Sequence, residues 1–160
     1  PCSVPLDGVL QKLGIPARLE YAGRIAIDGN ASPEFLDLIG YRGTSVDPLH
    51  LFISAGLTSI NRLVTTRSGV ALANVREVPA AAEDRVAAAI GLMAECGFIF
   101  PAGGGVGGFN LPQHPYRLPV VAFSGMNMVG NAIEKGYAVR TDIGAGSIPF
   151  EKIADATGSR

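Results

Sequence analysis

The spacing of apolar residues predicts a helix at the start of the chain and a strand soon after it. Over residues 3–14 (SVPLDGVLQKLG) leucine and valine recur at helical spacing, and Ser3 and Pro5 are typical of a helix start. Over residues 18–27 (RLEYAGRIAI) apolar and polar positions alternate, which is the period of a half-buried strand.

Two short helices are predicted next. The sequence Ser-Pro-Glu at 32–34 is typical of a helix start, and the apolar residues after it favour a helix that ends at Gly40. Asp47 followed by Pro48 predicts a second helix, which ends at Gly56.

The centre of the chain is rich in β-branched residues. Residues 58–66 (TSINRLVTT) and 70–78 (VALANVREV) predict two strands, joined as a hairpin by the turn residues 67–69. Pro79 then predicts the start of a helix with a long apolar face, which Gly97 ends.

The last third predicts further short elements. They are a buried strand at 98–102, a Gly- and Pro-rich loop at 103–118, a strand at 119–123, a helix at 126–135 and an edge strand at 137–142.

The order of elements from residue 70 onward is β-α-β-β-α-β, the ferredoxin-like pattern. We therefore predict an α+β protein, a two-layer α/β plait with extra helices and a strand at its N-terminal end, and one domain over residues 1–160. In that topology strands 70–78 and 119–123 lie side by side and parallel, so that their C-terminal ends meet at one rim.

The amino-acid composition excludes several classes of protein. Hydrophobic residues make up 48% of the 160 residues and charged residues 17%, which excludes intrinsic disorder. The net charge of −1 makes nucleic-acid binding by this chain alone unfavourable, and no apolar run reaches the ~18 residues that a membrane span needs.

Because the chain opens on Pro1, we expect it to be part of a longer protein. Its two cysteines have no metal or disulfide context, which favours a cytoplasmic setting.

Candidate chemistry lies where the two central strands end. Arg76 closes the first, and Ser124, Gly125 and Asn127 follow the second and lead into a helix. A guanidinium pairs bidentately with a carboxylate, and a helix N-terminus favours an anion. We therefore predict a carboxylate-binding corner. The alternative is that Ser124 and Asn127 only cap the helix and that Arg76 only pairs with a nearby acid.

The glycine run that includes Gly103, Gly104 and Gly105 lacks the surroundings of a phosphate-binding loop. It is interpreted either as a plain mobile loop or, together with His114, as a lid over the corner. Thr58 and Ser59 are candidate ligand donors, or residues that only close a turn.

No assembled catalytic set and no metal-ligand spacing appears, so the sequence favours a binding module over an enzyme. No cofactor and no metal site is predicted. A catalytic alternative would need His114 or Cys96 beside a base in a closed pocket.

Three stretches resemble one known family. They are residues 46–59 (VDPLHLFISAGLTS), 69–80 (GVALANVREVPA) and 124–136 (SGMNMVGNAIEKG), and together they are similar to the NrpR regulatory domain. The similarity covers roughly residues 4–155. Met128 stands where that family tends to have proline.

The resemblance implies the sensor part of a transcriptional repressor of nitrogen-assimilation genes, with 2-oxoglutarate as the effector. Such a domain is expected to form a homodimer, and to reach operator DNA only through an N-terminal winged helix-turn-helix that this chain lacks. No membrane partner is expected. Two alternatives stay open: a module that binds glutamine or another amino acid, and a purely structural dimerisation domain.

Overall fold

The computed structural model of the protein describes residues 3–29, 31–101, 104–141 and Pro149. Over these ranges the chain forms five α-helices, four strands and one short 3-10 turn. In chain order they are α1 (Val4–Lys12), β1 (Arg18–Asp28), β2 (Glu34–Gly40), α2 (Pro48–Ser54), α3 (Ile60–Thr66), β3 (Ser68–Pro79), the 3-10 turn (Ala80–Ala82), α4 (Glu83–Glu95), β4 (Arg117–Phe123) and α5 (Met126–Glu134).

The strands form one sheet in the order β2-β1-β3-β4, and every neighbouring pair is antiparallel. Strand β3 is central, and residues 71–78 are buried without a break. Because successive side chains of a strand point to opposite faces, both faces of β3 must be covered.

Helices cover one face of β3. Val78 packs with Leu6 of α1 and Ile90 of α4, and Leu72 packs with Phe52 of α2. The helices turn their apolar sides to the sheet, as their periodicity predicts.

A loop segment covers the other face. Val75 packs there with Phe109 and Leu111, which belong to the connection between α4 and β4, and with Phe35 of β2. The protein thus has two apolar layers around one sheet, and the second contains the loop segment together with Leu63 of α3.

The predicted α+β class is confirmed, and a four-stranded antiparallel sheet with helices is compatible with a plait. The predicted helices at 3–14, 47–56, 79–97 and 126–135 and the predicted strands at 18–27, 70–78 and 119–123 are confirmed, with bounds that shift by a few residues.

Two predicted elements have the opposite secondary structure. Residues 34–40 form β2 and not a helix, because this segment pairs with β1, for example Phe35 with Ile25. Residues 60–66 form helix α3 and not a strand. Ile60, Leu63 and Val64 are spaced for a helix as well as for a short β-rich run, and tertiary contacts decide between the two.

Two predicted strands are absent from the described residues. Residues 98–101 and 137–141 have no strand, while Ala102 and Asp142 lie outside the described part of the chain. The edge of β4 that faces away from β3 pairs with the loop, where Val121 N–H donates to the carbonyl of Gly105 at 2.6 Å. The isolated bridge between Val106 and Val120 continues this pairing.

The predicted parallel arrangement of strands 70–78 and 119–123 is wrong. In the antiparallel pair of β3 and β4, Ala73 lies opposite Phe123 and Pro79 lies opposite Arg117. The C-terminal ends of the two strands therefore lie at opposite ends of the ladder, and the rim at which Arg76 was predicted to meet Asn127 does not form.

Candidate functional site

Arg76 is the most deeply buried charged residue described, with a side chain only 2% exposed. It lies on the face of β3 that α1 covers, and its guanidinium holds the carboxylate of Asp7 with two nitrogens. Nη2 donates to Asp7 Oδ2 at 2.7 Å, Nε donates to Asp7 Oδ1, and Nη2 also reaches Ser3 Oγ at 3.3 Å. This is the bidentate geometry that arginine uses to recognise carboxylates.

Sequence and fold explain this pair together. Leu6 and Leu10 are buried and fix α1 against the sheet, which brings Asp7 over β3. An arginine stays charged in proteins, so its burial requires a partner. This contact matches the alternative interpretation, in which Arg76 pairs with a nearby acid, and binding of a carboxylate ligand by Arg76 stays a prediction.

A chain of hydrogen bonds extends this pair across the sheet. Asn74 Nδ2 donates to Ser3 Oγ at 3.0 Å, and the hydroxyl of Tyr41 donates to Asn74 Oδ1 at 3.0 Å. Burial, together with the negative charge of Asp47, raises the pKa of Tyr41 to about 12, although the charge of Arg76 acts the other way. Tyr41 therefore remains a neutral donor at ordinary pH.

An open cavity of about 550 Å³ lies beside α1. Its lining residues are Asp7, Gln11, Gly14, Ile15, Pro16, Ala17 and Leu19. Asp7 is 45% exposed, and Leu19 is the residue of β1 that lies directly opposite Arg76 in the ladder. Arg76 Nη1 is buried and has no hydrogen-bond partner among the residues that the structure describes.

Asn127 bonds to the backbone of β3. Its Oδ1 accepts from Leu72 N–H and its Nδ2 donates to Leu72 C=O, both at 2.8 Å. Regular pairing with β4 ends at Ala73, although Ser124 N–H still donates to Leu72 C=O at 3.0 Å, so the amide of Asn127 supplies the acceptor for Leu72 N–H and a second donor to its carbonyl. Ser124 Oγ accepts from Met126 N–H at 3.1 Å and thus caps α5, as the alternative interpretation expects, while Gly125 is the N-cap residue.

Arg76 does not share a cavity with Ser124 and Asn127. These two residues line a mostly apolar groove of about 300 Å³ between α3 and α5, and Arg76 is not among its lining residues. Leu72 and Arg76 are four residues apart on β3, which is about 13 Å along a strand. The structure therefore does not assemble the predicted corner, and a ligand role for each residue stays a prediction.

Thr58 and Ser59 lie at the start of α3, and the hydroxyl of Thr58 bonds to the carboxylate of Glu134. Glu134 of α5 accepts from the Thr58 hydroxyl at 2.6 Å, from Ile60 N–H at 2.9 Å and from Asn61 N–H at 2.7 Å. Burial alone would raise the pKa of Glu134, but these hydrogen bonds outweigh it and lower that pKa. Ser59 Oγ accepts from the backbone N–H of Val70 at 2.8 Å.

Two of the predicted lid residues, Gly105 and His114, lie away from Arg76. Gly105 lies against β4, and a Cβ there would come within 2.4 Å of the carbonyl oxygen of Val121. His114 Nδ1 pairs with Glu77 Oε1, on the opposite face of β3 from Arg76, because adjacent strand residues alternate. Gly104 is described and exposed, whereas Gly103 lies outside the described residues.

The polar partners of Arg76 were not foreseen from the sequence. Ser3 and Asp7 are four residues apart and so share one helix face, which is the only local signal for them. Asn74 and Tyr41 join the network through sheet pairing, which has no signature in a single sequence.

Within the described ranges, no group of three or more His, Cys, Asp or Glu side chains is arranged to hold a metal ion. No helix in the same ranges has the length and apolar character needed to span a membrane.

The family described as NrpR regulatory domains NRD1 and 2 matches residues 2–155. The match covers nearly the whole chain, so the class of protein is a regulatory domain. The chain belongs to the NrpR regulatory domain family, and the resemblance inferred from its sequence is confirmed.

Similar proteins are described as global nitrogen regulators. Global nitrogen regulator NrpRI of Methanosarcina mazei is 41% identical over 81 residues, which are 51% of this chain and 25% of that protein. Global nitrogen regulator NrpR of Methanococcus maripaludis is 32% identical over 82 residues, which are 51% of this chain and 15% of that protein. The chain therefore spans a quarter or less of the length of these relatives.

A solved structure shares the fold. It is the crystal structure of a nitrogen repressor-like protein from Methanococcus jannaschii, with a TM-score of 0.64 and 21% sequence identity. The similarity covers 88% of this chain and 60% of that one.

Proposed function

We propose that residues 1–160 form an effector-binding regulatory domain of a transcriptional repressor of nitrogen-assimilation genes, and that 2-oxoglutarate is the effector. The family membership and the names of the relatives support the regulatory part. The observation that carries the effector part is the buried Arg76, which already binds the carboxylate of Asp7. Asp7 lines an open cavity, and Arg76 itself is not among the lining residues of that cavity.

The choice of a dicarboxylate follows from charge. A small organic diacid needs a cationic partner, and arginine supplies a planar fork of donors for one carboxylate. Neither the groove near Ser124 and Asn127 nor the cavity beside α1 has a cationic residue in its lining, but the lining of the cavity beside α1 includes Asp7, the partner of Arg76. Carboxylate recognition is therefore assigned to the side of the sheet that holds Arg76.

In this proposal the domain acts without catalysis and forms a homodimer in the cytoplasm. With a net charge of −1, this chain leaves operator contacts to a separate winged helix-turn-helix domain. Effector binding shifts the equilibrium between two arrangements of the dimer and so alters the spacing of the DNA-binding domains. Such coupling requires a difference in effector affinity between the two states, typically ~1–3 kcal/mol.

A neutral amino acid such as glutamine is the second candidate effector. The groove between α3 and α5 has Asn127 and Asn131 in its lining, and Asn131 Oδ1 is buried with no hydrogen-bond partner among the described residues. That oxygen is suited to accept a hydrogen bond from the amide or ammonium of a ligand.

A thermal-shift panel separates these alternatives. The chain is melted with 2-oxoglutarate, with glutarate and with glutamine at equal ionic strength. At a hundredfold excess over its dissociation constant a ligand adds ~2.7 kcal/mol, which for a chain of this size raises the melting temperature by about 5–10 °C. We expect 2-oxoglutarate to do so. A shift with glutamine alone would favour the amino-acid module, and no shift with any of the three would favour a structural domain.

A further inference from the structure

We propose that Asp7 is an exchangeable internal ligand of Arg76, and that a small carboxylate ligand enters from the cavity beside α1 and displaces it. The inference rests on the proposed effector function and adds to it the place of binding and the group that the effector must displace.

Arg76 always needs a carboxylate partner. Its side chain is 2% exposed and its charge is permanent, so an unpaired state would leave a buried charge uncompensated. The backbone that carries Arg76 is held in place, because β3 is paired with β1 and with β4, and burial of the side chain restricts the movement of the guanidinium. Any exchange must therefore take place at the carboxylate.

The side chain of Asp7 can move away from the ion pair, whereas the buried side chain of Arg76 cannot. Its side chain is 45% exposed, so it can rotate into water and regain hydration. Helix α1 would stay in place meanwhile, because Leu6 and Leu10 are buried in the core and do not depend on Asp7. The exchange thus requires a side-chain rotation and no unfolding of the helix.

The cavity provides the entry path and a second point of attachment. Its volume of about 550 Å³ is of the size that small-molecule sites have in proteins. Gln11 lies one turn after Asp7 and lines the same cavity, so its amide can donate to the distal carboxylate of a diacid. Arg76 Nη1, which has no partner among the described residues, is a further donor.

The pair formed by Arg24 and Asp37 is a matched comparison. Arg24 Nε donates to Asp37 Oδ2 at 2.6 Å, and Asp37 is also 45% exposed. Arg24, however, is 19% exposed and also donates to the carbonyl of Leu57 at 3.0 Å. It therefore keeps solvent and a backbone carbonyl as acceptor when its carboxylate is removed, whereas Arg76 keeps the neutral hydroxyl of Ser3 at 3.3 Å and almost no solvent.

Chemical rescue tests the exchange. The chain is unfolded in urea as wild type, Asp7→Ala and Asp37→Ala, in formate, acetate or 2-oxoglutarate, against chloride at equal ionic strength. We expect Asp7→Ala to lose stability in chloride and to recover more than half of the lost urea midpoint in formate. Asp37→Ala should respond to these anions no more than wild type does.

Calorimetry supplies the second measurement. Removing the internal carboxylate frees the site, so 2-oxoglutarate should bind Asp7→Ala about tenfold or more tightly than wild type. If Asp7→Ala is unfolded in chloride, recovery of its circular dichroism spectrum in formate counts as rescue, and Asp7→Asn is used for the titration.

The outcomes separate this inference from the proposed function. Absence of rescue, or equal rescue of Asp37→Ala, would overturn the exchange. Equal affinity of wild type and Asp7→Ala for 2-oxoglutarate would also overturn it, while leaving the effector function in place. Rescue by formate without any binding of 2-oxoglutarate would support carboxylate capture at Arg76 and contradict the proposed effector.

Discussion

At the scale of single residues, several polar side chains form hydrogen bonds with other groups of the same chain. Arg76 holds Asp7, Asn127 holds the backbone of Leu72, and Glu134 holds the first turn of α3. The sequence shows which residue types can form such contacts, and it predicted Arg76 as a carboxylate binder. The particular partners depend on distances that only the folded chain defines.

Tyr41 gives a prediction at high pH. Its pKa is about 12 in the folded protein against an ordinary value of 10.0, so the neutral form is favoured by folding. This contribution is complete below pH 10 and is lost as the pH rises from about 10 to 12. Urea unfolding across this window should show a steeper loss for wild type than for Tyr41→Phe. Tyr116→Phe is the control, because Tyr116 is 90% exposed, and it should lose stability as steeply as wild type.

Glu134 gives a prediction at low pH. Its pKa is lowered, since its hydrogen bonds from Thr58 and from two backbone N–H groups outweigh burial, so folding favours the charged form. The stabilisation is present above the ordinary value of 4.5 and is lost as the pH falls through the lower pKa of the folded state. Glu134→Gln should destabilise the protein by about 1 kcal/mol at neutral pH, the usual scale of a lost helix cap.

In thermal melts, that difference between wild type and Glu134→Gln should shrink at acid pH. A constant difference from pH 7 to 3 would contradict the account of Glu134 as a charged cap of α3.

At the scale of elements, asparagine side chains complete two strands. Asn127 bonds to both backbone groups of Leu72 in β3, and Asn110 does the same for Phe35 in β2. Asn127→Ala leaves the N–H of Leu72 inside the protein without its partner, whereas the carbonyl of Leu72 keeps the hydrogen bond from Ser124 N–H at 3.0 Å. We expect the buried unpaired N–H to cost about 1–3 kcal/mol.

Asn110→Ala should cost less, because β2 is an edge strand and water can replace the lost partner. Urea unfolding of both variants checks this order. Equal or reversed costs would contradict the role assigned to Asn127.

Two glycines in helices allow the effect of helix propensity on stability to be distinguished from the effect of side-chain packing. A Cβ at Gly8 of α1 would meet nothing within 4 Å, whereas one at Gly130 of α5 would lie 2.6 Å from Ile60 Cδ1. Gly8→Ala should therefore stabilise the protein by up to about 1 kcal/mol. Gly130→Ala should lose that gain to the clash with α3, and a comparable rise in melting temperature for both variants would disprove the close contact of α3 and α5.

A helix with a long apolar face can be predicted from the sequence, whereas the secondary structure of a short apolar segment cannot. Helix α4 turns Val86, Ala89, Ile90 and Met93 to the core, as its spacing indicates. The segments at 34–40 and 60–66 are seven residues each, and their apolar positions fit both periods. Pairing with β1 makes the first a strand, and the cap from Glu134 supports the second as a helix.

At the scale of the whole molecule, the α+β class was predictable but the topology was not. The predicted order β-α-β-β-α-β places strands 70–78 and 119–123 parallel to each other at the centre of the sheet. Here the sheet is antiparallel, and the second cover is the loop segment that contains Phe109 and Leu111. Nothing local in a Gly- and Pro-rich segment indicates that it packs on a sheet, so the relative direction of β3 and β4 was inferred wrongly.

The wrong direction predicted for β4 relative to β3 also explains why the predicted carboxylate-binding corner is not found. Parallel strands would have brought Arg76 and Asn127 to one rim, whereas the antiparallel ladder separates them and gives Arg76 to α1. The family resemblance does not depend on this geometry, and the match over residues 2–155 confirms it independently.

The central claim is that this domain binds 2-oxoglutarate, and calorimetric titration of the folded chain tests it most directly. The account predicts a saturable heat that fits one site per chain, and loss of that heat in Arg76→Lys, whose ammonium cannot reproduce the planar fork. A folded sample that gives no heat at millimolar 2-oxoglutarate would contradict it.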